Sequence, residues 1–321
     1  MPLKYIQLLL ITIVWSVWFF SNGIEKILDL IGSHAIIMLT MLFGSFVAGA
    51  TSLGGGAVAF PVFTKLLSIP GGTALVFSLA IQSVGMTAAA FLIFMGKVPV
   101  NKKVILGSIV PGAVGVYIGL FEMSDIFSGG QVKYFFSIFS LFVAFVLVFD
   151  RFVNQRQFRT AKEVNDDKVI GMLPIIIASL MGGVISGLIG TGIDFVVFAL
   201  MILFYREGLK RAVATSVCVM AINAVIGFVF ISVLSVKFTG IVVDYWLAAI
   251  PIVVVGAPLG ALACKYFHRD VIFYLLMGLI LLDVVSTALI LGKHWHFVFL
   301  TVIAVITISV WRRFLRDKQP I

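Results

Sequence analysis

The sequence predicts an all-α polytopic membrane protein built from two inverted repeats. Of the 321 residues, 61% are hydrophobic and 12% are charged, whereas soluble domains are about 45–50% apolar and about 25% charged. Two glycine clusters, at 54–56 and 190–192, interrupt long apolar stretches in matching places. Basic residues are also distributed unevenly among the loops between the apolar segments. Together these three observations indicate a bundle of membrane-spanning helices with two broken segments.

Apolar segments long enough to cross a bilayer, which takes about 20 residues, recur along the whole chain. The first is predicted to be a retained helix rather than a cleaved signal peptide, because bulky residues such as Trp18 stand where a cleavage site needs small ones. About eight segments are predicted as full transmembrane helices. They are 3–20, 73–95, 104–120, 132–149, 212–234, 245–263, 271–291 and 296–310.

Two further apolar stretches, 35–67 and 169–205, are too long for one span, and each contains a glycine cluster. Glycine in a helix interior costs about 1 kcal/mol relative to alanine, so each stretch is predicted to break there. The second arm of each stretch has about 11–13 residues and is too short to cross alone. Each stretch is therefore predicted to form a re-entrant helical hairpin, although two complete spans would give the same sidedness.

Positive charge sets the predicted orientation, because Lys and Arg are enriched in cytoplasmic loops. With a cytoplasmic N-terminus and two re-entrant hairpins, all but five of the 23 Lys and Arg residues lie on the cytoplasmic side. The C-terminus is then cytoplasmic as well, and the protein is placed in the cytoplasmic (inner) membrane. The five basic residues on the outer side are Lys26, Lys65, Lys133, Lys237 and Lys293.

A hydrophilic linker divides the chain into two halves with the same order of elements. Gly54 and Gly190 are 136 residues apart (190 − 54), and at that offset Thr87 falls on Asn223. The first hairpin opens outward and the second inward, so the repeats are inverted, as in many secondary transporters. The predicted parts are a first helix with its outer linker (1–33), repeat 1 (34–149), the linker (150–168), repeat 2 (169–291) and a last helix with a basic tail (292–321).

The two glycine clusters are the first candidate site. At a helix start the backbone N–H groups have no intrahelical partner and attract anions, and glycine lets a ligand approach the backbone closely. The alternative is that small residues only allow close packing of helices. Two matched clusters favour an anion held from both sides. The predicted contacts are Thr51, Ser52, Gly54, Gly55, Gly56, Gly190, Thr191 and Gly192.

Two acidic residues lie inside apolar segments, where a charge is costly and indicates function by default. Asp194 follows the second cluster and is predicted either to take up a coupling proton or to cap the start of a half-helix. A permanent negative charge beside an anion site would oppose binding, so protonation is expected to accompany transport. Asp283 is predicted either to relay a proton or to pair with a polar group on a neighbouring helix.

Polar residues recur on the spans that follow the hairpins. Gln82, Ser83 and Thr87 are on the first of these spans, and Asn223 is on its counterpart in repeat 2. Such residues face the protein interior, where they contact either the substrate or each other. No metal-ligand spacing, enzyme motif or basic tract with interleaved aromatics is present, so no metal, cofactor, catalysis or nucleic-acid partner is expected.

The sequence resembles the TauE/SafE sulfite exporter family. The matching stretches are 49–61 and 186–194, the helix that begins at Ala212, and the segment that contains Pro251 and Gly256; together the resemblance covers about residues 35 to 291. It implies export of small sulfur-containing or organosulfur anions, such as sulfite, sulfoacetate or thiosulfate, with proton coupling often assumed. The Gly-Thr-Gly-x-Asp sequence of the second cluster resembles that of a subgroup.

Three alternatives to this kind of exporter remain open at the level of sequence. The chain could be an anion channel, an importer of a related organic anion, or a structural membrane protein. The first and last helices lie outside the repeats, and they serve either as scaffold or as the surface of a homodimer.

Overall fold

The protein, described here by a computed structural model, is a bundle of helices, with no strand in the described part of the chain. Six helical segments among these residues are long and apolar enough to cross a membrane, which confirms a multi-pass all-helical protein. The predicted span 296–310, most of 132–149 and the first glycine cluster lie outside the described residues. The structure describes residues 3–51, 59, 62–123, 126, 131, 137–138, 140–141, 144, 148, 171–235 and 238–290.

Eight α-helices and three short π-helical segments make up this part of the chain. The α-helices are α1 (Leu3–Ala50), α2 (Gly71–Met95), α3 (Lys102–Tyr117), α4 (Met172–Ile189), α5 (Ile193–Leu203), α6 (Leu209–Val229), α7 (Ile241–Tyr266) and α8 (Arg269–Ile290). The π-helical segments are Val62–Leu66 before α2, Ile118–Glu122 after α3 and Phe230–Ser235 after α6.

Helix α1 changes direction at Gly23 and His34, where its backbone leaves the helical region. Its first arm (3–22) includes the first predicted span, and its last arm (35–50) is the long arm of the first predicted hairpin. Both arms pack against α7. The chain therefore passes along α7, turns, and returns along it.

The tryptophans of the first arm show its direction. The indole N–H of Trp18 donates to the carbonyl of Leu247 at 2.7 Å, and that of Trp15 donates to the carbonyl of Pro251 at 3.0 Å. Lower numbers on α1 thus meet higher numbers on α7. The first arm runs antiparallel to α7.

Glycine allows the last arm of α1 to pack backbone against backbone on α7. A Cβ added at Gly49 would overlap the carbonyl of Ala257, and one added at Gly260 would overlap the carbonyl of Phe46. Close approach of this kind is the role that small residues have at helix crossings in membranes. Because both residue numbers rise together, the last arm runs parallel to α7.

Helix α4 packs on α3 in the same way. A Cβ at Gly183 would overlap the carbonyl of Gly112, and one at Gly119 would overlap the carbonyl of Val184. These helices are also parallel. Packing is therefore the observed role of the glycines at both crossings, in contrast to the binding role expected for the two glycine clusters.

The Gly183→Ala variant is expected to be less stable than the wild type by about 1–3 kcal/mol, because its methyl group would meet a backbone carbonyl rather than a flexible side chain. Thermal unfolding in detergent measures the effect. Gly32→Ala is the matched control, since no described atom lies within 4 Å of the added Cβ. Equal melting temperatures for the two variants would contradict a packing role for Gly183.

The turns that follow the two hairpins have the same hydrogen bonds. The backbone N–H of Ile69 donates to the carbonyl of Phe63 at 2.8 Å, and that of Glu207 donates to the carbonyl of Met201 at 2.9 Å. Each donor follows a residue with positive φ, 54° in the first turn and 53° in the second. The structural repeat therefore has an offset of 138 residues (207 − 69, 201 − 63).

The predicted offset of 136 residues is wrong by two. It aligned the first glycine of one cluster with the first glycine of the other, whereas hydrogen-bonded turns set the register of the repeats. At the observed offset Gly54 corresponds to Gly192, and Gly85 rather than Thr87 corresponds to Asn223. Position 223 therefore has a glycine as its counterpart in repeat 1.

Equivalent helices of the two repeats run in opposite directions. Leu79 on α2 lies near Gly227 at the end of α6, while the N–H of Asn101, just after α2, donates to Thr215 near the start of α6 at 2.9 Å. Helices α2 and α6 are therefore antiparallel. The last arm of α1 and α4, which occupy equivalent places, are likewise opposed, as an inverted repeat requires.

Candidate anion site

The second glycine cluster forms a tight turn between α4 and α5. Gly190 ends α4 with φ of 90°, and Gly192 precedes α5 with φ of 148°, both in a region that favours glycine. A Cβ at Gly190 would lie 2.5 Å from the Cβ of Ser78. We call residues 190–192 the second tip. Glycine is required there by backbone conformation and by contact with α2.

Helix α2 holds the second tip through the carbonyl of Gly190. The side-chain amide of Gln82 donates to this carbonyl at 2.7 Å, and the hydroxyl of Ser78 lies 3.2 Å from it. The same Gln82 amide also lies 2.8 Å from the Ser78 hydroxyl. The Oε1 atom of Gln82 is buried, with no hydrogen-bond partner among the described residues. Gln82 thus both fixes the tip and leaves an acceptor directed into the interior.

The Gln82→Met variant is expected to lower stability by about 1 kcal/mol and to slow transport, because the tip loses its shortest contact with α2. Thermal unfolding and uptake into proteoliposomes measure the two effects. Ser83→Ala is the control, because the Ser83 hydroxyl donates at 2.7 Å to Ala80 on its own helix. The role assigned to Gln82 is wrong if both variants behave alike.

Asp194 occupies the start of α5. Its side chain is fully buried, and its Oδ1 atom accepts a hydrogen bond from the N–H of Gly192 at 3.0 Å. The N–H of Phe195 also donates to the carboxyl group. The hydroxyl of Thr191 lies 3.4 and 3.5 Å from its two oxygens. The carboxyl group therefore takes the place that an anion would occupy at a helix N-terminus.

The neighbouring N–H is occupied by a second group of the protein. Ile193, the first residue of α5, donates to the hydroxyl of Ser186 on α4 at 3.0 Å. Within the described part of the chain, no cation pairs with Asp194. The negative charge of its carboxylate is therefore balanced only by the dipoles of the tip. Of the two sequence-based roles of Asp194, the structure shows the cap, while coupling stays a prediction.

Asn223 lies on α6, close to the start of α5. It is 3% exposed, and neither its Nδ2 nor its Oδ1 atom has a hydrogen-bond partner among the described residues. A Cβ at Gly112 on α3 would lie 3.0 Å from Oδ1 of Asn223 and 2.8 Å from the side chain of Ile193. Gly112 thus leaves room for the Asn223 amide beside the second tip.

The structure brings Gln82, Gly190, Thr191, Gly192 and Asp194 into one cluster, with Asn223 beside it. The other predicted contacts lie elsewhere or outside the described residues. On α2, Ser83 uses its hydroxyl within the helix and Thr87 is exposed; the buried Thr51 donates to Val47 at 2.8 Å; the side chain of Asp283 on α8 and residues Ser52, Gly54, Gly55 and Gly56 are outside the described part.

Three residues of the site were not predicted from the sequence: Ser78, Ser186 and Gly112. Ser78 stands one helical turn before Gln82, so the period of the polar residues on α2 contained the signal. Ser186 and Gly112 gave no such signal, because their roles depend on contacts between different helices.

Comparison with known proteins places this fold in a family. The chain matches the family model described as "Sulfite exporter TauE/SafE" over residues 37–289, which include most of the chain and both glycine clusters. No curated protein and no solved structure matches the chain. The resemblance noted in the sequence is therefore confirmed, and the protein belongs to the TauE/SafE sulfite exporter family.

Proposed function

We propose that the protein is a proton-coupled secondary transporter that exports small sulfur-containing or organosulfur anions of the sulfite, sulfoacetate and thiosulfate class. Family membership supports a sulfite-type anion exporter. The observation that carries the finer proposal is the second tip, where a buried carboxyl group already sits on the helix N-terminus. The protein functions in the cytoplasmic membrane with both termini in the cytoplasm, as the charge distribution predicts.

The carboxylate of Asp194 and the transported anion compete for the same backbone N–H groups. While Asp194 is ionised and bound to Gly192, a second anion would meet both an occupied donor and a like charge. Protonation removes the charge and weakens the hold of the carboxyl group on these donors. An anion then binds at Thr191 and Gly192. Each anion bound is thus accompanied by one proton taken up.

The first glycine cluster supplies the opposite side of the site in this proposal. Gly54, Gly55 and Gly56, with the hydroxyls of Thr51 and Ser52, hold the anion through backbone N–H groups. The two hairpins are re-entrant and meet near the middle of the membrane. Helix α5 supports this arrangement, because its 11 residues span about 16 Å, roughly half of the hydrocarbon thickness.

Co-movement of proton and anion makes the direction of transport depend on both gradients. Export proceeds when the outward gradient of the anion exceeds the inward gradient of protons. An acidic exterior favours the reverse direction, so occupation of the tip by Asp194 also supports a second candidate function, import of a related organic anion. Asp283 is the second candidate for the proton site, and a homodimer is the proposed assembly.

Uptake by proteoliposomes tests the function. Sulfite, sulfoacetate and thiosulfate are supplied outside, with and without an acidic exterior. A carrier gives saturable uptake, counterflow against preloaded anion, and acceleration by the acidic exterior. Currents that do not saturate would identify a channel, and absence of flux for the whole panel would refute the proposed function. Flux in intact cells loaded with the transported anion decides between export and import.

A further inference from the structure

The buried amide of Asn223 has no structural use in the described part of the protein. Both of its polar atoms lack hydrogen-bond partners, although the side chain is almost completely buried. Leaving a buried amide unsatisfied costs about 1–3 kcal/mol, so native proteins rarely contain one without a functional reason. The amide therefore needs an explanation other than stability.

An interhelical hydrogen bond does not explain it. Ser108 on α3 lines the same cleft as Asn223, but its hydroxyl donates to the carbonyl of Val104 at 2.7 Å and accepts from Ser179 at 2.8 Å. The polar side chain beside the amide is thus already engaged within its own pair of helices. Asn223 is not part of that network.

The internal repeat shows that packing does not require an amide at this place. The counterpart of Asn223 is Gly85, and the glycine-lined crossings place Val253 opposite Gly112 in the repeat (253 − 112, the same 141 as 260 − 119). A Cβ at Gly85 would lie 3.2 Å from the Cβ of Val253. Repeat 1 fills the position with a glycine on the first helix and a valine on the second. In repeat 2 the glycine is on the second helix, and the larger residue is a polar one.

The position of the amide connects it to the second tip. Gly112 separates Asn223 from Ile193, which follows Gly192 directly. The cleft between α3 and α6 also extends from Asn223 toward the N-terminal ends of both helices, past Ile105 and Val219. In the predicted orientation these ends face the cytoplasm. An anion that enters along this cleft meets Asn223 before it reaches the tip.

We propose that Asn223, with the space that Gly112 leaves, forms a subsite that binds an oxygen of the transported sulfur oxyanion as it enters from the cytoplasmic side. The Nδ2–H group donates to a sulfur-bound oxygen, and Oδ1 accepts from a protonated one, so the subsite suits the singly protonated form of sulfite. This inference rests on the proposed function, since the ligand is the transported anion.

Sulfite counterflow in proteoliposomes, together with thermal unfolding in detergent, tests the subsite. For Asn223→Leu, which has a similar shape, we expect KM for sulfite to rise about tenfold or more while stability is unchanged or higher, because an unsatisfied amide is removed. Asn223→Asp is expected to raise KM further, because it adds a negative charge. A merely structural role predicts the opposite for Asn223→Leu: lower stability with an unchanged KM.

A pair of alanine variants provides a matched control. Gly112→Ala introduces a methyl group 3.0 Å from Oδ1 of Asn223 and is expected to raise KM for sulfite. Gly85→Ala introduces comparable crowding at the equivalent place in repeat 1, 3.2 Å from Val253, and is expected to leave KM unchanged. Normal KM in Asn223→Leu and Gly112→Ala would overturn the subsite while the transport function stands. Absence of sulfite flux in the wild type would overturn both.

Discussion

The Asp194→Asn variant is expected to keep counterflow of sulfite but to lose acceleration by an acidic exterior, with gradient-driven accumulation reduced at least about tenfold. Asparagine has nearly the shape of aspartate, and its side-chain oxygen can still accept from the N–H of Gly192. It carries no negative charge at any pH of the assay, however. An anion then competes with a weaker, neutral acceptor, and no proton needs to be bound.

Two other acidic residues serve as controls for this result. Asp244 forms an exposed ion pair with Lys26 at 3.4 Å, worth at most about 1 kcal/mol, so Asp244→Asn is expected to transport like the wild type. Asp283→Asn tests the second candidate for the proton site. If Asp283→Asn loses the response to the gradient and Asp194→Asn keeps it, the coupling residue has been assigned to the wrong helix.

The Gly192→Ala variant is expected to be strongly destabilised and inactive. A residue with a Cβ at φ of 148° costs about 1–3 kcal/mol from the backbone alone. The added methyl group would also overlap the side chain of Ile185 on α4, forcing apart the two arms of the hairpin. Melting temperature in detergent and the initial rate of sulfite uptake measure the two consequences.

Gly23→Ala separates these two effects. Gly23 also has positive φ, at 71°, but no described atom lies within 4 Å of the Cβ that alanine would add. We expect Gly23→Ala to lose only the stability that backbone strain accounts for, and to transport anions. A Gly192→Ala protein as stable and active as Gly23→Ala would show that the second tip tolerates distortion and is not the site.

The spans of this protein follow closely from its sequence, because about 20 consecutive apolar residues suffice to specify a membrane helix. The predicted span 73–95 is observed at Gly71–Met95, and 245–263 is observed within Ile241–Cys264. The break at the second glycine cluster was also predictable, because two glycines in left-handed conformations end one helix before the next begins. Local chemistry determines these features.

The chemistry of the tip could not be predicted in the same way. The sequence suggested free N–H groups at Gly192 and Ile193, whereas Asp194 and Ser186 occupy them. The choice between a free and an occupied tip depends on how α4 and α5 fold back on each other, and spacing alone does not report it. The offset of the repeats failed for a related reason, since matching glycines by position ignored the turns that set the register.

Proton uptake on anion binding tests the central claim most directly. The purified protein is placed in a weakly buffered solution near neutral pH, and thiosulfate is added, because this anion does not itself titrate there. A pH indicator then counts the protons bound. The account predicts uptake of about one proton per anion by the wild type and none by Asp194→Asn, since binding of the two ligands is linked. Binding of thiosulfate without proton uptake, or equal uptake by both proteins, would contradict it.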